Sequence, residues 1–84
     1  MNKIEDSVKK LAEVYNSKTE LMAKRNKIQF CSRDTIKLNV DGVEFYIPED
    51  IKDTIVSLMI NRYDSLIKIK KETIKNIVES IKGE

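Results

Sequence analysis

The chain has 84 residues, of which 16 are basic and 14 are acidic, for a formal net charge of +2. This length allows one domain with a small core. A single cysteine and the lack of histidine exclude an internal disulfide and the common zinc frameworks. The near-balanced charge differs from the clear basic excess of most nucleic-acid-binding domains.

The first segment, from about residue 2 to residue 27, predicts an amphipathic helix. Its apolar residues recur with the 3.6-residue period of a helix, and they are Ile4, Val8, Leu11, Val14, Tyr15, Leu21 and Met22. The charged start contains no apolar run that predicts a signal peptide or a membrane span. We therefore expect a soluble protein of a reducing compartment, the cytoplasm of a bacterial host, without a membrane partner.

The central segment predicts a β-hairpin. Asp41 and Gly42 stand between two alternating runs, which indicates a type I′ turn. A two-residue loop fixes the register as Val40–Val43, Asn39–Glu44, Leu38–Phe45, Lys37–Tyr46 and Ile36–Ile47. One face of these pairs is wholly apolar, so we expect it to be buried against the first half of the following helix. Residues 28–31 also alternate and leave open a short third strand.

The last segment predicts a long helix from Pro48 to about residue 82, because a proline and acidic residues suit a helix start. A break at Asp64 stays open, although continuity is favoured. One apolar stripe of this helix carries a seven-residue repeat of isoleucines, namely Ile60, Ile67, Ile74 and Ile81. A second apolar stripe lies towards the start of the helix and consists of Ile51, Ile55, Leu58 and Ile69.

These segments predict a single α+β domain over residues 1–84, with an N-terminal helix, a central β-hairpin (two or three short strands) and a long C-terminal helix. A helix of about 34 residues spans about 51 Å, whereas a six-residue strand covers only about 20 Å. The hairpin therefore leaves much of the apolar surface of the helices uncovered. We expect a homodimer or higher oligomer that associates through its helices.

Catalytic chemistry is not indicated. Without histidine the chain lacks the commonest general base, and Gly42 and Gly83 cannot form a phosphate-binding glycine loop. Cys31 lies in an apolar stretch with no recognisable companion base, which is typical of an inert, buried thiol. We expect neither an enzyme nor a bound metal or cofactor.

Two basic surfaces are candidate binding sites. The denser one combines the end of the first helix with the next turn, through Lys24, Arg25, Lys27 and Arg33. It lies where three elements meet, and arginine binds carboxylate or phosphate groups in a bidentate manner. Lys37 and Tyr46, on the outer face of the hairpin, are a plausible anchor beside it. The other surface is a strip on the long helix that is typical of a solvated face: Lys68, Lys71, Lys75 and Lys82.

From Glu44 the chain runs through a strand, Pro48-Glu49-Asp50-Ile51, a helix, Asp64-Ser65 and a further helical stretch. In this order it resembles the ribbon-helix-helix family. The resemblance implies a dimeric DNA-binding regulator in which the outward strand residues, here Glu44 and Tyr46, read the major groove.

The function that we favour from the sequence is that of a non-catalytic binding module. Its size and lysine- and isoleucine-rich composition resemble small accessory proteins of phages and mobile elements. By that association we expect an inhibitor of a host protein, such as a defence protein, or an oligomer that sequesters an anionic nucleotide. The alternative is the ribbon-helix-helix-like regulator.

Overall fold

The computed structural model describes residues 3–83. The chain forms α1 (Lys3–Gln29), a short 3₁₀ turn (Arg33–Thr35), β1 (Leu38–Val40), β2 (Val43–Phe45) and α2 (Glu49–Lys82). The predicted α+β order of helix, hairpin and helix is confirmed. Residue 2, where the first helix was predicted to start, lies outside the described residues.

The two helices pack side by side and run antiparallel. Arg25, near the end of α1, bonds to Asp64 in the middle of α2. At the other end, Ser7 of α1 and Ser80 of α2 line one cleft. Acidic residues in the first turn of each helix and a lysine in each last turn complement the helix dipoles.

Helix α2 is continuous over Glu49–Lys82, as the uninterrupted periodicity favoured. Pro48 precedes it with extended backbone, φ −61° and ψ 150°, and accepts the hydrogen bond of the Lys52 amide at 3.0 Å. Asp64 does not cap a new helix, because its carboxylate instead accepts a bond from Arg25.

The core is thin. Among the described residues, the buried apolar side chains are those of Ile47, Val56 and Ile67. The repeated isoleucines Ile60, Ile74 and Ile81 are half-buried. They lie on the stripe of Val56 and Ile67, which faces α1 because α1 is the element that packs along α2. The isoleucine stripe of α2, from which contacts between chains were predicted, thus packs largely against α1 of the same chain.

The hairpin has the predicted register over its two strands, with Leu38 opposite Phe45, Asn39 opposite Glu44 and Val40 opposite Val43. Asp41 and Gly42 have φ of 51° and 82°, as a type I′ turn requires.

The open possibility of a third strand at residues 28–31 is wrong, because residues 28 and 29 continue α1. Ile28 extends the seven-residue spacing of Val14 and Leu21, so this apolar residue fits the helix as well as a strand.

The hairpin does not cover α2, and this prediction was wrong. Within residues 3–83, no strand Cα lies within 8 Å of a helix Cα. The apolar face of the two strands is about half exposed, at 47–55% for Leu38, Val40, Val43 and Phe45, and only Ile47, which follows β2 at the base of the hairpin, is buried.

The molecule is elongated, because α2 with its 34 residues alone spans about 51 Å. Its principal dimensions are 56 × 23 × 16 Å, and its radius of gyration is 18.3 Å, against about 12 Å for a compact domain of this length. Across the described residues, neither helix combines the length and the apolar character needed to cross a membrane.

Candidate functional site

The six predicted binding residues do not form one surface. Arg25 lies on the side of α1 that meets α2. Its Nε donates to Asp64 Oδ1, and its Nη1 donates to Gln29 Oε1 at 2.6 Å. The guanidinium is therefore engaged in joining the end of α1 to α2.

Arg33 makes a similar bridge from the 3₁₀ turn. Its Nε donates to Asp53 Oδ1 at 2.7 Å, and its Nη1 reaches the carbonyl oxygen of Cys31 at 3.5 Å. The hydrogen bond to Asp53 raises the pKa of Arg33 above its ordinary value. The Arg33 side of the bridge is thus charged at every ordinary pH and loses its charge only as pH rises through that raised pKa.

Cys31 is half-buried, and its Sγ donates to the carbonyl oxygen of Ile28 at 3.0 Å. The guanidinium of Arg33 lies close enough to interact electrostatically with Cys31, although its main partner is the carboxylate of Asp53. The thiol is therefore less buried, and closer to a cation, than the inert thiol that the sequence predicted.

Lys24 and Lys27 are exposed on the last turns of α1, and neither makes an ion pair in the described part of the chain. Lys68, Lys71 and Lys75 on α2 are likewise exposed. The dense basic patch therefore splits into two engaged arginines and two free lysines.

Lys37 and Tyr46 do come together, at a cleft of about 300 Å³ at the base of the hairpin. This volume is at the lower end of small-molecule sites. Strand β2, the residues that flank the two strands, the 3₁₀ turn and the start of α2 all contribute to it. It is lined by Asp34, Ile36, Lys37, Glu44, Phe45, Tyr46, Ile47 and Lys52.

The charges in this basal cleft balance. Lys37 Nζ lies 3.4 Å from Glu44 Oε1 across the strands. Lys52 Nζ lies 3.6 Å from Glu49 Oε1, one helical turn before it in α2. With Asp34 and Glu44 beside the two lysines, the lining carries two positive and two negative groups. The cleft thus lacks the basic excess that would attract a multiply charged anion.

Lys52 was not among the predicted site residues. It is buried, with 8% of its surface exposed. Its position four residues before Val56 places it on the stripe of α2 that faces the core, and this spacing could have identified it.

A second cleft of about 320 Å³ lies between the helices near the far end of the molecule. It is lined mainly by polar side chains: Ser7, Lys10, Thr73, Asn76, Ile77 and Ser80. Its single cation and short polar side chains resemble an ordinary solvated groove between two helices.

No group of three or more potential metal-ligating side chains occurs among residues 3–83. The ribbon-helix-helix resemblance implied two helices meeting at Asp64 and Ser65, whereas α2 passes through these residues without interruption. No protein-family model, curated protein or solved structure matches the chain.

Proposed function

We propose that the chain is a non-catalytic binding module that engages a protein partner with its hairpin. The observation that supports this proposal is the uncovered apolar face of Leu38, Val40, Val43 and Phe45, which projects from the helices. A contiguous apolar face of this kind typically marks a protein interface.

The hairpin also offers free strand edges. It is a two-stranded sheet, so each strand is paired on one side alone. Isolated two-stranded hairpins are marginally stable in water, and both edges could accept an extended segment of a partner by strand addition. A partner that covered the apolar face or extended the sheet would stabilise the hairpin as it bound.

In this proposal the chain acts by occupying a surface of its partner, as an inhibitor does. We favour an inhibitor of a host protein, a defence protein included, acting inside a bacterial cell. Size and composition motivate this choice, together with the uncovered hairpin. The alternative of nucleotide sequestration has less support, because the charges that line the basal cleft cancel.

DNA binding has less support still. Glu44 lies on the outer face of the hairpin and forms an ion pair with Lys37, the one lysine of that face. A carboxylate there would face the phosphates of bound DNA. A salt titration of DNA binding separates the two classes, because a DNA binder loses affinity steeply with added salt.

Site-specific photocrosslinking tests the protein-binding proposal. A photoreactive residue at Val40 reports on the apolar face, and the same residue at Asn39 reports on the opposite face of the same strand. Glu79, near the end of α2, is a remote control. We expect one dominant adduct from Val40 in a bacterial lysate, weaker formation from Asn39, and none from Glu79. Equal adducts from all three positions would indicate unspecific contact.

A further inference from the structure

Lys52 occupies an unusual place for a cation. It is the one charged side chain among the buried residues of the described chain. It also lies in the first turns of α2, near the positive end of the helix dipole, where a cation is destabilised. Burying a charge without a close partner is unfavourable, so the contacts of this ammonium group are informative.

The ammonium group has spare capacity to donate hydrogen bonds. Its ion-pair partner within residues 3–83 is Glu49, whose Oε1 lies 3.6 Å from Nζ, which is longer than a hydrogen bond. No described side-chain nitrogen or oxygen is fully enclosed without a partner. Nζ is therefore not fully enclosed, and Lys52 lines the basal cleft, so the three N–H groups of its ammonium group are available as donors to a ligand there.

The surroundings of Nζ favour a ligand with two parts. Ile36, Phe45 and Ile47 form an apolar wall of the cleft, and the Tyr46 side chain lies at its edge, 86% exposed. An apolar body can rest on this wall while an anionic group meets Lys52. Glu49 is 63% exposed at its side chain and can turn into solvent when that anionic group arrives.

The charges of the lining limit the ligand further. Asp34 and Glu44 also face the cleft, and they repel additional negative charge. A singly charged carboxylate suits this setting better than a doubly charged phosphate.

We propose that the basal cleft binds a carboxylate carried on an apolar or aromatic body, with the carboxylate replacing Glu49 at the ammonium group of Lys52. The carboxylate belongs either to a free small molecule or to an acidic side chain next to an apolar residue in a peptide. This inference does not depend on the hairpin-binding proposal, because it concerns the intact chain alone.

Titration of the ¹⁵N-labelled chain followed by NMR tests the site. Benzoate is the probe, benzamide is its neutral analogue, and phenyl phosphate carries the extra charge. We expect saturable shifts around Lys52 and Phe45 with benzoate, weaker binding of phenyl phosphate and none of benzamide. A second pair, acetyl-Phe-Glu-amide and acetyl-Phe-Gln-amide, distinguishes a peptide source from a free carboxylate. Tighter binding of the glutamate peptide than of benzoate indicates the peptide.

Three variants make the test specific. Lys52→Met keeps an apolar stem in the buried position and removes the ammonium group, so the fold should persist while saturable binding is lost. Glu49→Gln removes the competing carboxylate and should tighten benzoate binding by roughly two- to five-fold, the range of an exposed ion pair. Lys24→Met is the control at an exposed lysine and should change nothing. Benzoate binding that survives Lys52→Met, or that benzamide matches, would overturn the proposal.

Discussion

The turn of the hairpin depends on two adjacent residues with left-handed backbone. Asp41 and Gly42 have φ of 51° and 82°, and the Gly42 amide donates to Asn39 Oδ1 at 3.0 Å. Apart from Gly42 itself and its two chain neighbours, no atom would lie within 4 Å of a Cβ at this position, so the space is open and the constraint comes from the backbone. A β-branched residue resists this conformation.

We predict that Gly42→Val destabilises the hairpin by on the order of 1–2 kcal/mol. Because the strands do not pack on the helices, the loss should be local and leave the thermal midpoint of the helices nearly unchanged. Hydrogen exchange of the Val40 and Val43 amides should accelerate roughly ten-fold. Gly83→Ala is the control, since Gly83 has ordinary helical backbone with φ −73°. Unchanged exchange in Gly42→Val would contradict the turn assignment.

The bridge between Arg25 and Asp64 yields a second prediction. Arg25→Asp alone should destabilise the fold, because it places two carboxylates at one contact. Adding Asp64→Arg should restore most of the stability, with a coupling of about 0.5–1 kcal/mol for a partly exposed pair. Thermal denaturation of the two single variants and the double variant measures it. Full additivity would mean that the bridge contributes nothing.

The same variants test the predicted role of Arg25 in partner binding. The reversed bridge moves the positive charge from α1 to α2 and keeps the fold, so a partner that recognises Arg25 should bind it more weakly. Lys24→Asp reverses a neighbouring charge that makes no ion pair in the described chain, and it separates recognition of Arg25 from general electrostatic attraction.

At this scale the sequence identified the arginines but could not identify their partners. Arg25 is separated from Asp64 by 39 residues, and Arg33 from Asp53 by 20. Such pairs form only once α1 and the 3₁₀ turn have packed on α2. The local sequence shows four basic residues close together, whereas in the folded chain two of these four, the arginines, form ion pairs with carboxylates.

At the scale of the elements, α2 presents two faces of very different burial. Ile67 is 7% exposed, whereas Ile69, two residues later, is 55% exposed. The periodicity placed these isoleucines on different stripes, and the structure places the stripe of Ile67 against α1. The pair therefore offers matched positions in one helix.

We predict that Ile67→Asp unfolds the chain or destabilises it by several kcal/mol, because an unpaired carboxylate would be buried. Ile69→Asp should change stability by less than about 0.5 kcal/mol, as is usual for an exposed position. Circular dichroism at 222 nm during thermal denaturation compares the two variants. Similar losses in both would mean that a further contact covers the second stripe.

The elements were predictable because their signals are local. Asp41-Gly42 fixes a two-residue turn, and the long periodic runs fix the helices. The position of the hairpin relative to α2 was not predictable, because alternation shows that one face is apolar but not which surface covers it. The ambiguity at residues 28–31 has a related cause, since a short apolar run fits the end of a helix as well as a strand.

At the scale of the whole molecule, the solvent-accessible surface area is larger than that of a compact protein of the same mass. The described chain exposes 6690 Å², against about 5,200 Å² expected for a compact protein of 9.8 kDa. The excess of about 1,500 Å² falls in the range that each subunit of an obligate dimer buries.

The exposed apolar surface of α1 suits a second copy of the chain. Val8, Tyr15 and Met22 repeat every seven residues and are 40–54% exposed. Because Val8 and Met22 are equally distant from Tyr15, a two-fold axis at Tyr15 would place each of them opposite the other in an antiparallel pair of α1 helices. The isoleucine stripe of α2 cannot form the dimer interface, since it already packs against α1 of the same chain.

We therefore predict a dimer that associates through α1. Light scattering coupled to size exclusion at micromolar concentration should give twice the 9.8 kDa chain mass. Tyr15→Asp should give a folded monomer, because it places like charges at the two-fold axis and removes the ring over which Lys18 Nζ lies at 4.7 Å. Asn16→Asp, exposed on another face of the same helix, should stay dimeric. A monomeric parent chain would refute the prediction. A dimer that survives Tyr15→Asp would instead assign self-association to the second stripe of α2 or to the hairpin, and the Ile69→Asp variant and a Val40→Asp variant would separate those two surfaces.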